Sequence, residues 1–315
     1  MEILFTGASS FTGYWFVRTL AEAGHRVRAT FTLESPAAYS GLRAERVTAL
    51  LPLCEPVFGC RFGDEKFISA IQGSHRWDLF CHHAAEAADY RSEKFDVSGA
   101  LAANTLNLAG VLDALGEKGC RAAVLTGSVF EQDEGRGDDP RAFSPYGLSK
   151  GFTWQLFRYR CARAGFRLGK FVIPNPFGPY EEERFTSFLV RSWTRGEKPA
   201  VKTPAYVRDN IHVGLLARAY AKFAEETARG GDPVARLNPS GYAESQGDFT
   251  SRFAAEMERR LPFPCPFDLA EQVDFPEPRV RVNTAPAAAL VPGWDEPAAW
   301  DELAAYYRRR YPAAR

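Results

Sequence analysis

The chain has 315 residues, 45% of them hydrophobic and 25% charged, which suits one large or two smaller soluble domains with ample material for a core. Lysine plus arginine (39) equals aspartate plus glutamate (39), so no overall field draws the chain to nucleic acid or to a membrane surface. No apolar run reaches the roughly 18 residues of a membrane span, and six cysteines without a CxxC pair are too sparse for a disulfide framework or a zinc module.

In chain order, Glu2–Phe5 reads as a short strand, followed by a glycine-containing turn and a helix over Tyr14–Ala23. Gly7, Ser9 and Ser10 break that first apolar stretch, so it does not read as a secretory leader. The expected setting is cytoplasmic, with Cys54, Cys60, Cys81, Cys120, Cys161 and Cys265 as reduced thiols. His25–Phe31 alternates as a strand does, with His25 and Arg26 at a solvated edge, and Pro56–Cys60 and Trp77–Cys81 supply two more strands. Glu93–Glu117 reads as one long helix carrying Leu101, Leu108, Val111, Leu112 and Leu115. Asp133, Glu134, Gly137, Asp138 and Asp139 read as a solvated polar loop. Arg121–Thr126 and Leu168–Ile173 are strands, with a helix over Tyr146–Ala164 between them. Strands alternating with helices imply parallel pairing, because a parallel partner needs a long crossover. The expected fold is therefore an α/β, Rossmann-type doubly wound parallel sheet.

After Pro174 the prolines crowd and the alternation weakens, which marks a smaller carboxy-terminal α/β lobe. The expected division is a dinucleotide-binding domain over residues 1–175, to which segments of about 207–240 return (parts of Ile211–Phe223 and Val234–Asn238), and a substrate-binding lobe made of 176–206 and 241–315. Phe185, Phe188, Leu189 and Trp193 have helical spacing and are expected in its core.

The turn Thr6-Gly7-Ala8-Ser9-Ser10-Phe11-Thr12-Gly13 lies between the first strand and the first helix. Glycine there lets the backbone approach a pyrophosphate, whose charge is favoured at a helix N-terminus. Ser10 stands where the pattern has its middle glycine, so a plain strand-to-helix turn is the alternative. The second strand ends Thr30-Phe31-Thr32, with no carboxylate until Glu34 to accept from the adenosine ribose hydroxyls. Loss of that repulsion permits a 2′-phosphate, with Arg28, Arg43 and Arg46 as candidate partners, so the cofactor expectation is NAD or NADP with NADP slightly favoured. Asp64, after the third strand, is either an acceptor for the adenine amino group or a surface aspartate.

Tyr146-Gly147-Leu148-Ser149-Lys150 puts a phenol and an ammonium one turn apart on one helix face. A neighbouring ammonium favours phenolate, which would lower the phenol toward the range of a general base. Ser128, eighteen residues upstream at a strand end, is placed to hold a substrate oxygen beside it. With these residues the chain resembles the extended short-chain dehydrogenases/reductases of the NAD-dependent epimerase/dehydratase type. The resemblance rests on TGASSFTG at Thr6–Gly13, Gly63-Asp64, HHAA at His82–Ala85, LTGS at Leu125–Ser128, SPYGLSK at Ser144–Lys150, PNPFGP at Pro174–Pro179 and YVRDNIHV at Tyr206–Val213. It implies that Gly7, Ser10, Phe11 and Gly13 hold the cofactor pyrophosphate, that Thr30 and Asp64 face its adenosine half, and that Ala84 and Ala85 wall the cofactor cleft. It further implies Ser128, Tyr146 and Lys150 as the catalytic trio, Lys150 on the nicotinamide ribose, and Asn175 and Arg208 on a nucleotide-sugar substrate.

Besides Ser10, two departures narrow the reading. Leu101 stands where such proteins often have asparagine, although Asn107 matches a second one. Ser128 is followed by Val129 and Phe130 rather than by the acidic pair of 4,6-dehydratases, which lowers that reaction, though Glu131 remains near enough in sequence to approach the sugar. His82 and His83 are strand neighbours pointing to opposite faces, which disfavours a shared metal, and no metal is expected. His212 is expected to be structural, and Arg279 and Arg281 are either phosphate ligands or exposed strand residues. The implied activity is hydride transfer at a ring carbinol of a nucleotide sugar, as an epimerase or 4-keto reductase. The alternatives are reduction of a non-nucleotide carbonyl and a non-catalytic dinucleotide sensor. A homodimer is expected, through Leu106, Ala109, Leu156 and Phe157 on the two long helices.

Overall fold

Ile3, Leu4 and Phe5 are all fully buried because their strand is covered on both faces, with Ile3 and Phe5 in one apolar cluster and Leu4 in the other. The computed structural model describes residues 1–137 and 141–312. Its amino-terminal half runs β1 (Glu2–Thr6), α1 (Phe11–Glu22), β2 (Arg26–Thr30), α2 (Gly41–Leu50), β3 (Glu55–Val57), α3 (Glu65–Gln72), β4 (Leu79–His82), α4 (Val97–Asn104), α5 (Leu108–Glu117), β5 (Ala122–Ser128), α6 (Pro145–Ala164) and β6 (Arg167–Ile173). There follow β7 (Asn175–Phe177), α7 (Phe185–Thr194), β8 (Ala200–Val201), β9 (Val207–His212), α8 (Val213–Arg229), β10 (Val234–Leu237), β11 (Pro239–Ser240), β12 (Tyr242–Ser245), α9 (Gln246–Glu258), β13 (Asp268–Leu269), β14 (Val280–Arg281), β15 (Ala285–Pro286), α10 (Ala287–Leu290) and α11 (Glu296–Arg310).

The main sheet has seven parallel strands in the order β10-β6-β5-β4-β1-β2-β3, a Rossmann-type α/β arrangement. Helices α1 and α8 cover one face, where Phe16 stacks on Tyr220 at 4.0 Å, and α3, α5 and α6 cover the other. The helix starts are written locally: Ser10, Asp64 and Ser144 each accept a backbone N–H as N-caps, and Pro145 follows the last of them. β10 extends the main sheet beside β6. β9 instead belongs to a second sheet with β7, β12 and β14, in which Asn175 pairs with Asn210 and Arg208 with Arg281. This second sheet and α7, α9 and α11 enclose a core of Phe177, Trp193, Phe249, Phe253, Trp300 and Tyr307. No helix among the described residues is long and apolar enough to cross a membrane.

Four expectations need correction. The long helix over 93–117 is broken into α4 and α5, because Asn107 takes a left-handed conformation (φ 49°) that asparagine tolerates. Gly63 (φ 80°) presses on that break so closely that a Cβ there would lie 1.9 Å from the Leu106 carbonyl oxygen. Glu134 is not solvated: it is 3% exposed, held by Lys170, Arg236 and Asn238, while Asp133 and Gly137 are exposed and Asp138 and Asp139 lie outside the described residues. Phe188 is 46% exposed, unlike Leu189 and Trp193, and Phe157 is fully buried against the sheet and so is not a dimer contact.

Candidate active site

Strand order reverses between β1 and β4, and the chain leaves both at the same edge, the usual crevice for a ligand on such a sheet. Gly7 takes φ 82°, and a Cβ on it would lie 2.7 Å from the Ala84 nitrogen; one on Gly13 would lie 2.2 Å from the Gly7 oxygen. The turn is therefore closed to side chains at both glycines. Ser10 replaces the usual glycine with a cap: its Oγ accepts the Gly13 N–H at 3.1 Å and donates to the Gly7 oxygen at 2.9 Å. That leaves the first-turn amides of Phe11 and Thr12 with no acceptor inside the helix, the arrangement that suits an anion. The residues at this turn fit a dinucleotide pyrophosphate.

Thr6 Oγ1 knits the crevice floor by accepting from His83 N and Ala84 N and bonding His82 Nδ1 at 3.0 Å. His82 is stacked on Phe157 on one face of the sheet, and His83 lies against Phe5 and Phe16 on the other. Burial first, with the Lys150 charge second, pushes both imidazoles down to about 3. Among the described residues no group of three His, Cys, Asp or Glu side chains is placed to hold a metal ion. Asn104 was not singled out by its sequence, yet its Oδ1 accepts the Glu86 N–H at 2.7 Å and its backbone oxygen meets His82 Nε2, so it fixes the segment after β4.

At the adenosine end Thr30 is buried and Phe31 is buried against Phe58, so neither presents a carboxylate. Asp64 spends one oxygen on Phe67 N and the other on Arg61 N as the cap of α3, each oxygen keeping a further lone pair. Arg46 is wholly buried, clamping Ser9 O, Tyr180 O and Glu182, and Arg28 is held by Glu55 and Ala70 O. Of the three arginines considered for a 2′-phosphate, only Arg43 stays at the turn on a side-chain bond, to Ser9 Oγ at 2.9 Å.

Ser128 ends β5, and its Oγ accepts the Phe130 N–H at 3.2 Å. The first turn of α6 packs onto this loop through Gly147, whose Cβ would meet the Phe130 oxygen at 2.0 Å. The turn that carries Tyr146 therefore lies against the loop that follows Ser128. The Lys150 Nζ donates to the Thr126 oxygen at 2.6 Å, and burial pushes it down to about 8. Burial, then the Glu131 and Tyr90 charges, hold the Tyr146 phenol above its ordinary value, opposed by the Arg184 cation. The rings of Tyr90 and Phe95 flank it. Glu131 does not reach outward to a sugar; one oxygen accepts the Ser128 N–H at 2.7 Å and the other binds Lys170 Nζ at 2.5 Å.

Asn175 and Arg208 line one pocket together with Val129, Phe130, Phe143 and Arg281. Asp209 does not orient Arg208, since successive strand residues face opposite ways. It is buried and accepts Gly241 N and Asn283 N, whereas the Arg208 guanidinium is held by Glu277 and the Pro278 oxygen and lies 4.2 Å from the Tyr206 ring centroid. Arg281 is 4% exposed and donates to the oxygens of Val129 and Arg141, clamping the loop that follows Ser128. His212 caps α8 through Nδ1, as a structural histidine does.

No curated protein matches the sequence. Solved structures match over nearly the whole chain. The UDP-glucose 4-epimerase of Thermotoga maritima, solved with UDP-glucose, is 18% identical with TM-score 0.72, covering 98% of this chain and 99% of its own. The UDP-glucuronic acid 4-epimerase of Bacillus cereus, solved with UDP-glucuronic acid and NAD, is 15% identical with TM-score 0.71, covering 99% and 100%. A UDP-glucose-4-epimerase from Stenotrophomonas maltophila with bound NAD and formylated UDP-arabinopyranose is 20% identical with TM-score 0.73, covering 100% of both chains. At these identities the likeness establishes the fold. Residues 3–235, most of the chain and all of the glycine turn, the Ser128 loop and the Tyr146–Lys150 pair, match one family in sequence, and the chain belongs to the NAD-dependent epimerase/dehydratase family.

Proposed function

We propose that this enzyme epimerises a nucleotide-activated sugar, with UDP as the nucleotide and NAD as the cofactor. The observation that carries it is a shared pocket in which Asn175 and Arg208 meet the loop after Ser128, against which the Tyr146 turn packs. Gly7, Ser10, Phe11 and Gly13 hold the pyrophosphate, Thr30 and Asp64 face the adenosine, Ala84 and Ala85 wall the cleft, and Lys150 holds the nicotinamide ribose. A bound nicotinamide dinucleotide supplies the two-electron redox chemistry. Tyr146 moves the proton of the sugar hydroxyl, Ser128 donates to the same oxygen as charge develops on it, and Asn175 and Arg208 fix the diphosphate. A phenol held above its ordinary value stays protonated, the form that ketone reduction uses, so 4-keto reduction by the same residues is the second reading.

Calorimetry on the nucleotide-free protein tests the assignment. NAD and UDP are expected to bind, and CDP, GDP and dTDP to bind more weakly. NADP is expected within a hundredfold of NAD, because Phe31 and Thr32 offer no carboxylate to repel it and Arg43 lies at the turn. Arg208→Ala is expected to weaken UDP by about 1.5–3 kcal/mol, the worth of a hydrogen bond to a charged group, and to leave NAD unchanged. If no nucleoside diphosphate binds the wild type, the substrate is not a nucleotide sugar, and reduction of a simpler carbonyl takes its place.

The chain is proposed to act as a homodimer through α5 and α6. Phe152 (43%) and Tyr159 (56%) are exposed on α6, Ala109 is exposed on α5, and Leu106, in the break just before α5, is 47% exposed. Sedimentation is expected to give twice the 35.0 kDa chain mass at micromolar concentration, and a purely monomeric boundary removes this assignment.

A further inference from the structure

His83 lies outside the cofactor turn yet bonds two of its hydroxyls. Its Nε2 lies 3.0 Å from Ser10 Oγ and 3.1 Å from Thr12 Oγ1, and its Nδ1 lies 3.0 Å from Thr126 Oγ1. The hydroxyl bookkeeping fixes the tautomer. Ser10 Oγ already gives its only proton to the Gly7 oxygen and accepts the Gly13 N–H, so it can meet the imidazole only as an acceptor. Nε2 therefore carries the proton, and Nδ1 accepts from the Thr126 hydroxyl. The ring is walled by Phe5 and Phe16, with centroids 5.7 and 5.2 Å away, and it stays uncharged because burial pushes it far below neutrality. Thr126 has a second engagement: its backbone oxygen holds Lys150 Nζ at 2.6 Å. One imidazole thus bridges the turn on β1 and α1 to the strand position that anchors Lys150.

We propose that His83, with its proton on Nε2, is a positioning residue that holds the Ser10–Thr12 turn in its dinucleotide-binding shape and ties it to the Thr126 anchor of Lys150. A turn with serine in place of its middle glycine needs this brace: the Ser10 hydroxyl must point inward, toward Gly7 O and Gly13 N, for the amides of Phe11 and Thr12 to stay free. An Nε2–H donor behind it holds that rotamer. The inference rests on the dinucleotide reading of the site given above.

The test compares wild type, His83→Leu and His83→Gln in the nucleotide-free full chain. His83→Leu is expected to weaken NAD and ADP-ribose about tenfold, while UDP affinity stays within a factor of three. His83→Gln, which can again offer an N–H toward Ser10, is expected to recover most of the lost affinity. Wild type that binds no dinucleotide defeats the functional reading itself. Wild type that binds NAD while His83→Leu binds it equally well defeats only the role of His83, as does equal loss in the leucine and glutamine variants. Nitrogen-15 NMR of the wild-type imidazole decides the matter even where a variant fails to fold. The expected signal is a protonated Nε2 and a bare Nδ1, unchanged from pH 5 to 8; a proton on Nδ1, or a titrating ring, overturns the proposal.

Discussion

Tyr146→Phe is expected to lower turnover by about 10²–10⁴-fold, the usual worth of a positioned acid–base group, while NAD and UDP affinities stay nearly unchanged. Only a hydroxyl is removed, and the ring keeps its contacts with Tyr90 and Phe95. The pH dependence follows from the direction in which the phenol is shifted. Burial and the Glu131 charge raise it above its ordinary value, so the protonated form dominates throughout pH 6–9. Ketone reduction, which consumes the phenol proton, is expected to be flat across that range. Alcohol oxidation needs the phenolate, whose population grows with pH, and its rate is expected to climb. In the phenylalanine variant that slope disappears with the activity. Turnover within a few-fold of wild type would remove Tyr146 from the chemistry.

The parallel sheet and its glycine turn were legible because each strand is a short apolar run and each crossover has helical length. The break in the long helix escapes the sequence for the same reason: Leu101, Leu108, Val111, Leu112 and Leu115 carry an apolar period straight through Asn107, whose left-handed backbone and the approach of Gly63 to the Leu106 carbonyl reveal it. Tyr146 and Lys150 were visible as a spacing, but the partner of Lys150 was not, since it is a backbone oxygen on β5. Local order misled at Arg208 as well. The adjacent Asp209 points to the other side of its strand, and the carboxylate that holds the guanidinium is Glu277, 69 residues on. His83, Asn104 and Arg281 matter through partners that the fold alone brings close. Sequence spacing carries what lies on one helix face or one turn, and contacts made across the sheet escape it.

Lys170→Met is expected to destabilise the fold by about 3–5 kcal/mol, the cost of removing one partner from a buried ion pair. Lys170 is 1% exposed on β6, with Nζ 2.5 Å from Glu131 and 2.6 Å from Glu134, over the ring of Trp154. It passes beside Gly127, where a Cβ would lie 2.7 Å from the lysine Cε. The two carboxylates are not equally exposed to its loss. Glu134 keeps Arg236 and Asn238, whereas Glu131, fully buried, keeps only the Ser128 N–H as a side-chain partner among the described residues. The loss should therefore fall on Glu131 and on the loop that carries Ser128, and a double change, Lys170→Met with Glu131→Gln, is expected to restore a large part of the stability by removing the stranded charge. Urea unfolding of the wild type, the single variant and the double variant measures this directly. A single variant as stable as wild type would mean that methionine packing offsets the lost pair, and the Lys170–Glu131 contact would then serve to fix the Ser128 loop rather than to hold the fold.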